Sequence, residues 1–345
     1  MKIGIAFDLA PEAGGSGSLL DGPDDRFEEF DRPETVEAIA NVLRALGHEV
    51  ALLGDGREFL GRVLESPPDL VWNLAEGEGT GRCREARVPA ALEMLGIPHT
   101  GSDPLALAAA LDKDVARRLV TSSGVVVPWG MVFDPSRSAA AVALALASDE
   151  LVAAFPLILK PNAEGSSKGI RGRCLADSPL EAASTFARLA ADYRQPILVE
   201  EFIGGDELTV GVLGTGDSAR VLGVMRVVPR EPDPNFVYSL EVKRDWRARL
   251  SYETPAQLEA ATLDKLSRAA LAAHRALGCR DVSRVDFRLR RNVPHFIEIN
   301  PLPGLAPVTS DLVILADGYG IDHAGLIRLI LEAATDRLGL LAGRT

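Results

Sequence analysis

The residues best suited to chemistry lie late in the chain, in SRVDFRLRRNVPHFIEINPLPG (283–304). In RVDFRLR, Arg284, Asp286, Arg288 and Arg290 alternate with Val285, Phe287 and Leu289, the period-two pattern of a strand with one polar face. Asn292-Val293-Pro294 suits a turn, and HFIEIN returns as a second strand with Ile297 and Ile299 inward. A hairpin centred near Asn292 sets Asp286 opposite Glu298 and Arg284 opposite Asn300, with 298 and 300 on one face. Two carboxylates and an amide gathered in this way suit Mg²⁺, which takes a few carboxylates plus phosphate oxygens. The competing reading is an exposed hairpin whose acids pair with its own arginines. The turn NPLPG directly afterwards is constrained by proline and glycine, which implies an accurately placed backbone.

A second candidate is KPNAEGSSKGI (160–170), where a lysine closes the apolar run FPLIL and two serines sit between glycines. It lacks the GxxxxGK[ST] spacing of a Walker A loop, and KGIRGRC after it reads as a strand. It is therefore a glycine-rich hairpin loop, able to fold over phosphates with backbone N–H groups, Ser166 and Ser167, while Lys160 points at the same anion. Taken alone, a mobile hairpin tip is the better reading. In LVEEFIGGDELTV (198–210), Phe202 and Ile203 make an apolar slot, residues 201–203 offer backbone to an adenine edge, and Glu207 suits ribose hydroxyls. An edge hairpin with solvated acids fits that segment too. Lys113 in LDKDVARR and Lys243 in SLEVKRDW are unremarkable singly.

These segments need a scaffold. The chain has 345 residues, enough for two or three modules, and its 47% hydrophobic content supplies a core. A formal charge of −12 argues against a general nucleic-acid binder, though not against a small anionic ligand held locally. MKIGIAFDLAPEAGG is not read as a signal peptide, and AAAVALALA (139–147) is too short for a membrane span. Three scattered cysteines and five histidines without HExxH spacing give no disulfide framework or zinc site, so a cytoplasmic setting is expected. Over the first hundred residues, KIGIAF, HEVALLG and DLVWNLA read as strands, while PETVEAIANVLRALG and EARVPAALEMLG read as helices. That alternation predicts a Rossmann-like α/β domain with a parallel sheet. Its ligand-facing loops would be DLAPEAGGSGSLLDGPDD (8–25) and EGEGTGRCRE (76–85), neither a GxGxxG fingerprint. A helix is expected from about Pro104 to Ser123. An α+β pattern follows, with FPLILK paired to KGIRGRCLA, ILVEEFI to ELTVGVLG, and a helix around 255–278.

In their order along the chain, LDK, KPNAEGSSKGI, VEEFIGGDELTV, LEVK and RVDF…FIEINPLPG resemble the ATP-grasp superfamily and, within it, the D-alanine–D-alanine ligase family. The likeness runs from about residue 70 to 310 and implies three modules, 1–101, 102–196 and 197–345, the last two forming the α+β ATP-grasp fold. It implies that Lys113 and Lys160 contact ATP phosphates, under a closing loop that carries Glu164, Ser166 and Ser167. Glu200, Glu201, Phe202, Ile203 and Glu207 would hold adenine and ribose, and Lys243 would reach the terminal phosphate. Asp286, Glu298 and Asn300 would bind two Mg²⁺ ions, for which Mn²⁺ could substitute. Arg284 would stabilise the oxyanion of a tetrahedral intermediate, with Ser166 and Lys243 also at the catalytic centre. The implied reaction joins an amino acid or small peptide to an amine through an acyl phosphate, releasing ADP and phosphate. Such ligases are usually homodimers, with no nucleic-acid or membrane partner.

The chain departs from this pattern where substrates bind. AFDLAPEAGGSGS and FDRPETVEAI replace the family's GGxSxExxVS stretch, leaving Asp31 or Glu34 to hold an ammonium group, unless both merely cap a helix. NLAEGEGTGRCRE replaces HGxxGE, so Glu76, Arg82, Arg84 and Glu85 become candidate readers of a substrate with different charge. Arg244 stands where a tyrosine is usual. After Gly304 the serine site for the second carboxylate maps loosely to Thr309 or Ser310. Lys168 adds a charge where an apolar residue is common, facing the altered pocket. The expected activity is ligation with substrates other than two D-alanines; genuine D-alanyl-D-alanine synthesis and a non-catalytic ATP-binding regulator are the alternatives. Asp286→Asn should abolish ATP-dependent turnover in a phosphate-release assay, and unchanged activity would refute the metal assignment.

Overall fold

The computed structural model describes residues 1–11, 23–172 and 174–340, so GGSGSLL of the first polar loop lies outside the described residues. The amino-terminal part is a parallel sheet of β1 (Lys2–Ala6), β2 (Glu49–Gly54) and β3 (Leu70–Asn73) in the order β2-β1-β3. Helix α1 (Pro33–Ala45) begins with proline, whose missing N–H is no loss there. It buries Val36, Ile39, Ala40 and Leu43, spaced three or four apart, on the sheet. GREFLGRVLE forms α2 (Gly56–Glu65), which the sequence reading passed over, and α3 (Arg87–Leu95) follows a short 3₁₀ turn at Arg84–Ala86.

The helix expected over 104–123 is two helices, α4 (Pro104–Leu111) and α5 (Lys113–Ser122). Asp112 breaks it: its backbone is extended, and its carboxylate accepts from Val115 N–H and from the Asn162 amide 2.8 Å away. An aspartate that caps the next turn competes with continuing the previous one.

Two antiparallel sheets follow. The first contains β4 (Gly130–Phe133), β5 (Leu157–Pro161), β6 (Leu175–Ala176) and β7 (Ile197–Glu201), ordered β4-β7-β5-β6. It packs beneath α6 (Ala139–Ala145) and α8 (Pro179–Tyr193) through Phe133, Val142, Phe186 and Leu189; a short helix, α7 (Asp149–Val152), lies between these two in the chain. Because β7 pairs with β4 and β5, this sheet crosses the division expected at residue 196. The second is ordered β10-β9-β8-β11-β12: β8 (Asp206–Leu213), β9 (Arg220–Pro229), β10 (Leu250–Glu253), β11 (Val282–Arg290) and β12 (Val293–Asn300). Helix α11 (Ala260–Ala276) and α5 cover its apolar face. Two short helices, α9 (Leu240–Arg244) and α10 (Trp246–Arg249), precede β10. Among the described residues no helix is long and apolar enough to cross a membrane.

Three strand expectations need correction. KGIRG, the described start of the expected strand, is not one: Ser166, Ser167 and Gly169 all have positive φ (47°, 59° and 75°), which winds the chain into turns, and β6 has only two residues. ILVEEFI and ELTVGVLG do not pair with each other; they are β7 and β8, interior strands of two different sheets joined through Gly204-Gly205. Ile297 is not a core partner of Ile299. The register slips between Asp286 and Phe287, so Ile297 is the extra residue of a bulge and faces a pocket. The expected register itself holds, with Arg284 opposite Asn300 and Asp286 opposite Glu298.

The last helices, α12 (Asp311–Gly318) and α13 (His323–Leu338), return to the beginning of the chain. Leu312, Leu326, Ile327 and Ile330 share one core with Ile3, Ile5, Val36 and Ile39. Gly205 makes the crossing between the two antiparallel sheets possible. Its φ is +119°, and an added Cβ would sit 2.1 Å from the Leu289 carbonyl oxygen. Backbone cannot yield as a side-chain tip can, so Gly205→Ala is expected to destabilise the protein by about 2 kcal/mol or more. A thermal midpoint within a degree of wild type would refute this.

Candidate active site

The site is assembled around one buried carboxylate. Glu29 lies in the turn-rich stretch before α1 and accepts two hydrogen bonds from Arg84 at 2.8 Å, one from Lys168 at 2.9 Å and one from Gly165 N–H at 2.6 Å. Burial opposes its charge, but Arg84 and Lys168 outweigh burial and hold the carboxyl below the usual range. Four residues earlier, Asp25 accepts from Gly169 N–H (3.0 Å) and from the Tyr193 hydroxyl (2.6 Å). The segment before α1 thus grips the glycine-rich loop at both ends. Glu164 completes the junction, bonding Lys168 and, at 2.6 Å, the Gln195 amide.

Lys113 starts α5, and its ammonium reaches the Glu164 carbonyl and lies 3.3 Å from Glu298. Lys160 is 2% exposed and pairs with Glu200 at 2.5 Å. Both line a pocket with Ser167, Phe202, Ile203, Glu207, Lys243 and Asp286, or the neighbouring one with Ser166 and Arg284. Arg288 lies 4.8 Å over the Phe202 ring and 2.6 Å from Glu207, while Glu201 turns to Arg290 at 2.5 Å. Of the backbone proposed for an adenine edge, the Glu201 and Phe202 N–H groups already donate, to Trp129 and Pro156 carbonyls. The N–H of Ile203 makes no such bond among the described residues. The second oxygen of Glu200 is likewise buried without a hydrogen bond. Ser167 donates to the Tyr238 carbonyl, and Lys243 stacks 4.8 Å from the Tyr238 ring.

On the hairpin, Arg284 grips Asp286 at 2.8 Å and lies 3.7 Å from both Glu298 and Asp311. The Asn300 amide is 3.3 Å from Asp286. Burial raises the Glu298 carboxyl, yet Lys113, Arg284, Lys160 and Lys243 together bring it down to about 2. Asp286 moves the other way, raised by burial and by Glu298 and Asp311 against the pull of Arg284. The set offers carboxylate and amide oxygens, the hard donors a divalent cation takes.

Arg284 and Gly304 line a pocket with Glu29, Glu76 and Glu85. Of the residues read as facing a substrate, Glu76 and Glu85 are thus brought together here. Others point elsewhere: Arg82 has a side chain 69% exposed and pairs with Asp112, while Arg84 is 1% exposed and spent on Glu29 and the Ala163 carbonyl. Lys168 is tied to Glu29 and Glu164 rather than free. Arg244 pairs with Glu28 (2.7 Å) and Asp24 (3.2 Å). Thr309 is exposed, and the Ser310 hydroxyl accepts from Ala306 N–H. Neither Asp31 nor Glu34 caps α1, whose N-cap is Arg32; Asp31 is pushed up to about 7 by burial, and Glu34 is exposed. The acid that sequence reasoning missed is Glu29. Its signal was FEEF, an acidic pair between aromatics that a surface turn would not need.

Glu29→Gln would leave Glu164 alone to answer both Arg84 and Lys168, a loss of about 3–5 kcal/mol for a broken buried pair. Faster proteolytic cleavage within residues 162–172 is the expected readout, and unaltered protection would refute the junction. Since the folded carboxyl is held low, its contribution is complete above the ordinary value of 4.5 and is lost as pH falls through the lower folded value. Wild-type loop protection should therefore stay constant across neutral pH and fail only in acid.

The family model described as D-ala D-ala ligase C-terminus matches residues 119–332. The D-alanine–D-alanine ligase of Albidiferax ferrireducens is 35% identical over 253 residues, covering 73% of this chain and 68% of that protein. The crystal structure of D-alanine–D-alanine ligase from Bacillus anthracis complexed with ATP superposes with a TM-score of 0.72 at 20% identity, covering 99% of both chains. The VanG D-Ala:D-Ser ligase of Enterococcus faecalis superposes at 0.70 with 22% identity, covering 96% of this chain and 99% of that one. This chain belongs to the D-alanine–D-alanine ligase family of ATP-dependent, ADP-forming ATP-grasp ligases.

Proposed function

We propose that the protein joins a carboxylate to an amine, with amino acids or small peptides other than two D-alanines as substrates. The observation that carries this is the pocket where Arg284 and Gly304 meet Glu29, Glu76 and Glu85, beside a complete set of nucleotide-facing lysines. The relative structures named for D-Ala:D-Ser and D-alanine–D-alanine ligation support a fold that accepts different second substrates.

In this reading, adenine lies against Phe202 and Ile203. The Ile203 N–H and the Glu200 oxygen that makes no hydrogen bond meet its edge, and Glu207 meets the ribose. Lys113, Lys160 and Lys243 neutralise the phosphates, under the loop that Glu29 holds closed. Asp286, Glu298 and Asn300 fit magnesium by donor type and would hold it, supplying charge neutralisation to the phosphoryl group. The substrate carboxylate attacks the γ-phosphate to give an acyl phosphate and ADP. The incoming amine then displaces phosphate, while Arg284, fixed by Asp286 and Asp311, donates to the developing oxyanion. The closed loop keeps water from the acyl phosphate.

A panel of amino acids and dipeptides, singly and in pairs, incubated with ATP and followed by phosphate release and mass detection, decides the matter. Amide formation that needs two substrates establishes the ligase, and a D-alanine pair as the best substrate would return the protein to cell-wall chemistry. Phosphorylated product without an amide would make it a kinase, and ATP binding without turnover a regulator. Arg284→Met is expected to lower kcat by about 10²–10³-fold with KM for ATP little changed; a near-normal kcat would remove Arg284 from the mechanism.

A further inference from the structure

The three glutamates of the substrate pocket are not electrically equivalent. Their nearest carboxylate oxygens all lie within 4.8 Å of one another. Glu29 is answered by Arg84 and Lys168, which also answer Glu164. Glu298 is answered by Lys113 and Arg284, and Asp286 by Arg284. Every cation near this wall is thereby committed. Glu76 and Glu85 are left with no hydrogen bond or ion pair to their carboxylates among the described residues. Glu85 is only 7% exposed, and what it exposes faces the pocket.

Two carboxylates without partners in a largely closed space are costly, because a buried charge needs a counter-charge or a proton. Burial and the neighbouring Glu29 push Glu85 up to about 7 even against Arg84, and half-buried Glu76, desolvated beside Glu85 and Glu29, is raised well above its usual value. A ligand that brings positive charge here would reverse that. A simple amino acid brings one ammonium, enough for one of the two. The arginines that the sequence offered as readers of negative charge, Arg82 and Arg84, point elsewhere or are already paired. The pocket therefore presents a surplus of negative charge with room beside Arg284, Asn300 and Gly304 for the rest of a substrate.

We propose that one substrate carries a second cationic nitrogen, as a diamino or guanidino acid does, and that Glu76 and Glu85 select it. This rests on the ligase reading above and names its substrate class.

Ornithine and its neutral isostere norvaline, in both chiralities, test it in two ways. In calorimetric titrations of the full-length protein with a non-hydrolysable ATP analogue, one or other enantiomer of ornithine should bind at least ~100-fold more tightly than norvaline, because a site built for a charged group rejects the analogue lacking it. Glu85→Gln and Glu76→Gln should each weaken ornithine binding about 10- to 100-fold, the size expected for a charge-assisted hydrogen bond, whereas norvaline, whose single ammonium meets only one carboxylate, should lose affinity in at most one of the two variants. Equal binding of the two acids, or no binding of either, overturns the proposal. In the phosphate-release assay, turnover with norvaline equal to that with ornithine would also overturn it while leaving the ligase intact. Selective ornithine binding without turnover would uphold the pocket's charge preference and remove the ligase reading instead. Mn²⁺ titrated without nucleotide and followed by its electron resonance separates the remaining case: a bound ion lost in Glu85→Gln would make the cluster a metal site and refute an organic cation.

Discussion

A carboxylate removed from water must find its charge answered nearby, and much of this molecule follows from how Glu29 does so. The junction joins three places in the chain: Arg84 from the loop after β3, Lys168 and Gly165 N–H from the loop after β5, and Glu29 itself from the approach to α1. None of these segments has a hydrophobic core of its own. They are placed by a shared ionic knot whose geometry tolerates no missing member. The glycine-rich loop is consequently ordered without regular structure, with two consecutive serines in left-handed conformations that neither would adopt unaided.

The knot also divides labour within the site. On the side proposed for the nucleotide, cations and acids alternate in pairs, Lys160 with Glu200 and Arg288 with Glu207, so the pocket carries cations without being strongly positive. On the side proposed for the substrate the pairing stops, and carboxylates remain over. The same loop therefore borders two environments of different charge balance, with Arg284 at the boundary held by Asp286 and Asp311. In the proposed mechanism that is where a group acting on both halves of a two-step transfer would stand.

How much of this was legible in the sequence depended on the range of the interaction. The facing of Asp286 with Glu298 was, from centring the hairpin on Asn292; the two-residue turn alone would set Asp286 against Ile297, and the bulge at Ile297 shifts the register to the expected pair. The parallel first sheet was, because apolar runs alternated with helical periodicity. The pairing of ILVEEFI was not, since adjacent strands joined by a Gly-Gly turn look like a hairpin, and only packing sends them to different sheets. Glu29 was missed for a related reason. Its one local hint was the aromatic pair that flanks it in FEEF, and its three cationic or amide partners lie 55 to 139 positions away. Arg84 was read as facing substrate because sequence shows a charge but not what already satisfies it.

The return of α13 to the first sheet has a consequence for synthesis. Ile3, Ile5 and Ile39 are made early, yet the side chains that cover them, Leu326, Ile327 and Ile330, are made near the end. While the chain is emerging from the ribosome, the first strands have an uncovered apolar face and the two antiparallel sheets between must fold with their base unfinished. The first sheet is thus the last part of the protein to be sealed, and a nascent chain stalled before residue 323 would present that face to whatever holds unfinished chains.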